Sequence, residues 1–181
     1  MKHIEQFRLI KEYRGIKPFT CSFKDGINII VGENGSGKST MLELLMEGDK
    51  SKYSKVKYKG KPQYMFYDTE KQNPRLSSIS GSNALYNAHS HFVSHGEAVY
   101  PIIDRMKTLK DQIVIIDEPE SGISLSNQCN LFKSMEKAVK NNCQLIISTH
   151  SYVFIKKVEE IFDVSTGKWV SSLAFLKRLK L

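Results

Sequence analysis

Ile27-Asn28-Ile29-Ile30-Val31, then Gly32-Glu33-Asn34-Gly35-Ser36-Gly37-Lys38-Ser39-Thr40, is the stretch on which the reading of this chain turns. The nine residues fit G-x-x-x-x-G-K-[ST]. The apolar run before them has the length and branching of a buried strand. Ser39 to Glu47 after them carries Met41, Leu42, Leu44, Leu45 and Met46 and stops at Gly48, as a helix would. Strand, glycine-rich loop and helix in that order form the setting in which the pattern binds phosphate. Gly32, Gly35 and Gly37 let the backbone bend so that N–H groups, including those of Ser36 and Thr40, point at phosphate oxygens beside Asn34. Lys38 would reach the terminal phosphates and the Ser39 hydroxyl would ligate Mg²⁺.

A second cluster lies further along. Ile113-Val114-Ile115-Ile116 is a continuous apolar run, the mark of a strand buried on both faces, and it ends in Asp117-Glu118-Pro119-Glu120. Ligands in open α/β sheets sit at the carboxyl ends of strands. Asp117 is therefore placed to hold Mg²⁺ and Glu118 to act as general base toward an attacking water. Gln144-Leu145-Ile146-Ile147-Ser148 repeats the buried-strand signature and runs into Thr149-His150, where a histidine can hydrogen-bond a γ-phosphate.

The rest of the chain fits around this core. Residues 2–10 and Phe19 to Phe23 read as strands separated by the turn-like Arg14-Gly15-Ile16-Lys17-Pro18, and Asp25-Gly26 turns into the phosphate-loop strand. Gln63 to Asp68 is another strand. Residues 76–92 lack periodicity, and Glu97 to Leu109 is helical with Pro101 in its first turn. Leu125 to Val139 is amphipathic, a short helix follows His150, Trp169-Val170 lies in a final strand and Phe175 to Leu179 in a terminal helix. The expected fold is α/β with a mostly parallel core sheet, an antiparallel β layer starting within residues 1–26, and a reduced helical insertion at 69–110. All of it falls within one domain of 181 residues.

Composition narrows the setting. No apolar run is long enough to span a membrane, and Met1-Lys2-His3-Ile4-Glu5 is no signal-peptide start. Cys21, Cys129 and Cys143 have neither an even count nor metal-ligand spacing, which points to a reducing, cytoplasmic compartment. His89-x-His91-x-x-x-His95 has no cysteine or acidic cluster nearby to complete a metal set, and His95 already falls in the segment that starts the next helix. The net charge of +8 leaves room for an acidic partner, nucleic acid first. Lys55, Lys57 and Lys59 alternate with Val56 and Tyr58, so one strand face is basic. Two readings stand for it: a solvated edge that lysines protect against aggregation, or a surface for a phosphate backbone.

Together these motifs resemble the ABC-class ATPases, in the soluble branch near the SMC and RecF-like DNA-maintenance proteins. The resemblance also includes Ser121-Gly122, Ser148-Thr149-His150-Ser151, Tyr13-Arg14-Gly15-Ile16 and Phe23-Lys24-Asp25-Gly26-Ile27-Asn28. It implies ATP hydrolysis with Mg²⁺ and a head-to-tail homodimer that sandwiches ATP between one subunit's phosphate loop and its partner's signature segment. The matching segment is Val93-Ser94-His95-Gly96-Glu97, with Ser94 on the partner's γ-phosphate and Gly96 permitting close approach. From the residues alone, Ser94-x-x-Glu97 is also a helix capping box. Gln72 stands where the family carries a glutamine that contacts Mg²⁺, and Glu120 to Ser124 stands where it carries a loop across the dimer interface. Too few residues separate Lys38 from Ser94 for a coiled-coil arm. The expected function is an ATP-gated dimeric switch in DNA maintenance or defence. The alternatives are a slow or non-catalytic regulator of a separate effector protein and, less favoured, a transporter nucleotide-binding subunit.

Overall fold

The computed structural model describes residues 3–60, 64–68 and 100–179. Two sheets and a helical layer stack on one another. The first sheet, in the order β2-β1-β4, is antiparallel: β1 (His3–Leu9), β2 (Phe19–Ser22) and β4 (Ser54–Lys59). Its core face carries Ile4, Phe7 and Leu9. Ile4 and Phe7 are three residues apart, which strict alternation would send to opposite faces. A register shift between Ile4 and Gln6 opposite β4 absorbs the extra residue and brings both to one side.

The second sheet runs β5 (Tyr64–Asp68), β6 (Ile113–Asp117), β7 (Gln144–Ser148), β3 (Ile27–Val31), β8 (Glu160–Asp163) and β9 (Lys168–Ser171). All neighbours are parallel except β8 and β9. Its middle strands are buried on both faces, which is why they read as predominantly apolar runs. One face (Ile30, Ile113, Ile115, Ile146, Phe162) packs on Phe7, Leu9 and the apolar stripe of α1 (Lys38–Glu47), with Met41, Leu42 and Leu45. The other (Ile29, Val31, Val114, Ile116, Leu145, Ile147) packs on α2 (Tyr100–Thr108), α3 (Leu125–Lys140), α4 (Tyr152–Ile155) and α5 (Ser172–Arg178). Among the described residues no helix is long and apolar enough to cross a membrane.

The strands and helices fall where the sequence places them, with small shifts. α1 begins at Lys38, one residue early; the terminal helix starts at Ser172, capped by Ser171. Strand β8 has no counterpart in the sequence reading. Two acidic ends around Ile161-Phe162 hide a strand that inserts beside β3. The unperiodic 76–92 segment and the start of the 97–109 helix lie outside the described residues.

Beyond the apolar packing between them, one fully buried polar side chain ties the second sheet to the first. Gln144, at the start of β7, has no exposed surface. Its Oε1 accepts from the Ile4 amide at 2.8 Å, and its Nε2 donates to the Ile4 carbonyl at 2.9 Å and the Lys24 carbonyl at 3.0 Å. Gln144→Leu matches its bulk and takes this partner from the Ile4 amide and carbonyl in the core, while the Lys24 carbonyl keeps Asn28 Nδ2 at 2.8 Å. The expected loss is about 3 kcal/mol of stability, since each buried unsatisfied group costs roughly 1–3 kcal/mol. An unchanged denaturation midpoint in urea would contradict this role.

Candidate nucleotide site

The loop between β3 and α1 is shaped by contacts that only glycine permits at two positions. Gly37 lies at φ +100°, and a Cβ there would sit 2.6 Å from Ile16 Cγ1. A Cβ on Gly32 would lie 3.1 Å from Ser36 Cβ and 3.3 Å from Ser165 Oγ. The turn at Tyr13–Ile16 and the one after β8 are thus pressed directly onto the loop.

Helix α1 starts without a side-chain cap, whereas α3, α4 and α5 are capped by Ser124, Ser151 and Ser171. Its first intrahelical bond is from Met41 N to the Gly37 carbonyl. The amides of Lys38, Ser39 and Thr40 therefore have no acceptor within the helix, at the end where the helix dipole favours an anion. Ser36 Oγ is buried with no hydrogen-bond partner. Lys38 is 5% exposed, and its Nζ donates two long bonds, 3.3 Å to the Gly32 carbonyl and 3.4 Å to that of Glu33. Orphaned amides, an orphaned hydroxyl and a weakly held buried cation fit a phosphate chain.

The strand order places the acidic cluster beside this loop. β7 lies between β6 and β3, and Ser148 is in register with both Asp117 and Ile30. Ser148 Oγ donates to Asp117 Oδ1 and accepts from the Glu118 amide at 3.1 Å, while the Ser148 carbonyl accepts from the same amide at 3.1 Å. These bonds hold Glu118 at φ +44°, a left-handed conformation that costs a non-glycine residue of order 1–3 kcal/mol. The turn delivers Glu118 Oε1 to 3.7 Å from Lys38 Nζ and 3.4 Å from His150 Nε2. Lys38 from the start of α1 and His150 from beyond β7 converge on one oxygen of Glu118 beyond β6. Such a group can draw a proton from water at Glu118 while Lys38 and His150 bind negative charge.

Glu120 lies behind this group. Its Oε1 accepts from the His150 amide at 2.5 Å, and Oε2 is buried without a partner. Burial pushes its carboxyl above the ordinary range, opposed by hydrogen bonds from the His150 amide, its own amide and the Thr149 hydroxyl. Its charged form therefore costs the fold some stability, and stability falls as pH rises through the window above the ordinary carboxylate value.

Two cavities flank the loop. One, of about 640 Å³, opens between Gly15–Phe19, the loop residues Glu33–Ser36 and the turn Val164–Gly167. The other, of about 440 Å³, is bounded by Gly32, Thr149, His150, Asp163 and Arg178. Asp163, 1% exposed and next to Val31 in the sheet, is bound by Arg178 Nη2 at 2.9 Å.

The structure thus brings together Gly32, Asn34, Gly35, Ser36, Gly37, Lys38, Ser39 and Thr40 with Asp117, Glu118 and His150. Gln72, Ser94 and Gly96 lie outside the described residues. For Mg²⁺, the Ser39 hydroxyl and the Asp117 carboxylate are hard oxygen donors of the right kind. Among the described residues no group of three or more His, Cys, Asp or Glu gathers, so phosphate oxygens and water would complete the shell. The contributions of Ser148, Glu120 and the Asp163–Arg178 pair were not anticipated; only the Ser148-Thr149-His150 strand end hinted at the first.

A family model described as an AAA domain matches residues 3–173. Curated relatives include the zinc import ATP-binding protein ZnuC of Wigglesworthia glossinidia brevipalpis, 26% identical over 73% of this chain and 68% of that protein. The galactose/methyl galactoside import ATP-binding protein MglA of Pasteurella multocida is 24% identical over 82% of this chain and 38% of its own length. ZnuC of Haemophilus ducreyi is 25% identical over 79% of this chain and 64% of its own length. The chain therefore spans from about two fifths to two thirds of these relatives. A solved chain described as a metal-chelate type ABC transporter in an inward-facing conformation superposes with a TM-score of 0.60. The superposition covers 96% of this chain and 86% of that one at 17% identity, a likeness of fold. Because the family match runs from β1 into α5 and takes in every strand of both sheets, the chain belongs to the AAA-domain family, as a P-loop ATPase of the ABC class that uses ATP with Mg²⁺.

Proposed function

We propose that this chain is an ATP-hydrolysing switch whose two copies close head to tail around ATP. The observation that carries the reading is the convergence of Lys38 and His150 on one oxygen of Glu118, beside an uncapped helix start. The nucleoside occupies the cavity of about 640 Å³, within the range of small-molecule sites, and the phosphates lie along Gly32 to Thr40. Lys38 exchanges its two long carbonyl contacts for the β- and γ-phosphates. Glu118 takes a proton from the attacking water, and His150 binds the γ-phosphate as charge develops on it. Ser39, Asp117 and Gln72 would hold Mg²⁺, which would supply neutralisation of phosphate charge. Ser94 and Gly96 of the second copy complete the site.

The reading extends to DNA through the antiparallel sheet. Lys55, Lys57 and Lys59 are exposed on β4, with Lys55 directly opposite Arg8. Like charges across a strand pair are destabilising, and an acidic polymer laid along the face would relieve that. Lys57 is held by Glu5 at 2.9 Å, which weakens its share. A second reading is favoured by the relatives, which are named as import ATP-binding proteins. In it the same switch drives a membrane partner or another effector protein.

Glu118→Gln should abolish steady-state hydrolysis, by about a hundredfold or more, and accumulate as a dimer by light scattering under saturating Mg-ATP. A variant that stays monomeric there removes the dimer reading. Duplex DNA at low salt should stimulate wild-type hydrolysis several-fold. Neutralising Lys55, Lys57 and Lys59 together should weaken DNA binding and reduce its logarithmic salt slope by about 2–3. Hydrolysis indifferent to DNA, or an unchanged slope, would replace DNA with a protein partner of the second kind.

A further inference from the structure

We propose that Glu120 is a positioning residue, a clamp that fixes the backbone of His150 so that its imidazole faces the phosphate site. The inference rests on the reading of His150 as the phosphate-facing histidine, but its geometry is independent of that reading. Three bonds tie the segment after β6 to the end of β7 and the residues that follow it: one ends on Ser148 in β7, one joins Glu120 to His150 loop to loop, and one ties Ser151 to Gln128 in α3. The Glu118 amide donates to Ser148, the His150 amide donates to Glu120 Oε1, and Ser151 Oγ donates to Gln128 Oε1 at 2.6 Å. Only the middle bond acts on His150 itself.

The carboxylate is an expensive group for that task. The residue is half-buried, its Oε2 atom is buried with no hydrogen-bond partner, and Glu118 lies close enough to repel it. An apolar side chain would pack the loop at lower cost and leave the His150 amide without its acceptor. The strong acceptor is therefore kept for the amide. The loop that carries Glu120 is itself closed, with Ser121 N donating to the Glu118 carbonyl at 3.1 Å and Ile123 N to that of Glu120 at 3.2 Å. Glu118 and Glu120 thus ride on one rigid turn. The same turn presents the carboxylate that His150 Nε2 approaches and grips the backbone from which that imidazole projects. A shift of the turn moves base and histidine together rather than apart.

The test separates a clamp on His150 from a general structural role. Glu120→Gln keeps an acceptor of the same length; Glu120→Ala removes it; Glu120→Asp keeps the charge but falls one methylene short. Glu120→Ala and Glu120→Asp should lower kcat by about tenfold to a hundredfold, the scale of a small misplacement of a catalytic group. KM for ATP should stay within about threefold, and Glu120→Gln should stay within about threefold of wild type in both constants. In a His150→Ala background, Glu120→Ala should cost nothing further. Equal losses in both backgrounds, or a Glu120→Gln variant as impaired as Glu120→Ala, would overturn the proposal.

A second readout needs no hydrolysis. The His150 Cε1–H NMR signal of the nucleotide-free protein, identified by its loss in His150→Ala, should keep its position in Glu120→Gln. It should move and broaden in Glu120→Asp and Glu120→Ala. An unmoved signal in the two shortened variants would overturn the clamp even if the wild type hydrolyses ATP. A moved signal in a protein without hydrolysis would sustain the clamp while rejecting the proposed function.

Discussion

Three parallel strand ends lie side by side because Ser148 is in register with Ile30 on one side and Asp117 on the other. The buried hydroxyl and carbonyl of this one residue bind Asp117 and the Glu118 amide, and the next amide, of Thr149, binds the Ile30 carbonyl at 3.0 Å. A one-residue slip of β7 would exchange its core faces and carry His150 away from Glu118. The chemistry of the site is thus set by sheet register, which the apolar side chains on both faces enforce.

Lys38 and His150 are both satisfied by the protein groups around them, but loosely. Contacts of 3.3–3.7 Å hold the lysine in a nearly dry position without matching what a phosphate offers. Two cationic or donor groups already gathered on one carboxylate need little movement to receive a second anion. For the proposed reaction, such preorganisation would keep the reorganisation cost low.

Much of this was legible in the residues, and for physical reasons. A glycine-lysine loop advertises itself because backbone geometry and phosphate charge leave few residue types able to serve. Strands β3, β6 and β7 are visible because burial on both faces fills them with β-branched and other apolar residues, with polar positions kept mainly to their ends. The alternation at Lys55, Lys57 and Lys59 is visible because β4 has one wet face. Strand β8 is hidden because its terminal charges are resolved at a distance: Glu160 pairs with Lys24, and buried Asp163 with Arg178. Glu120 stands in plain view, yet its partner is a backbone amide 30 positions away, which no side-chain pattern encodes. Gln144 is the same case, tied to Ile4 across 140 positions.

The placement of β3 between β7 and β8 has a consequence for synthesis on the ribosome. The phosphate loop emerges early, but both strands that flank its supporting strand belong to the later part of the chain. Until Gln144–Ser148 and Glu160–Asp163 have been translated, β3 has edges with unpaired amides and carbonyls on both sides and no platform for the loop. At about 5–20 residues per second that interval lasts many seconds. Over that time a nascent chain exposes an adhesive apolar strand and offers ATP no formed pocket, so the nucleotide can stabilise the protein only after its core has closed.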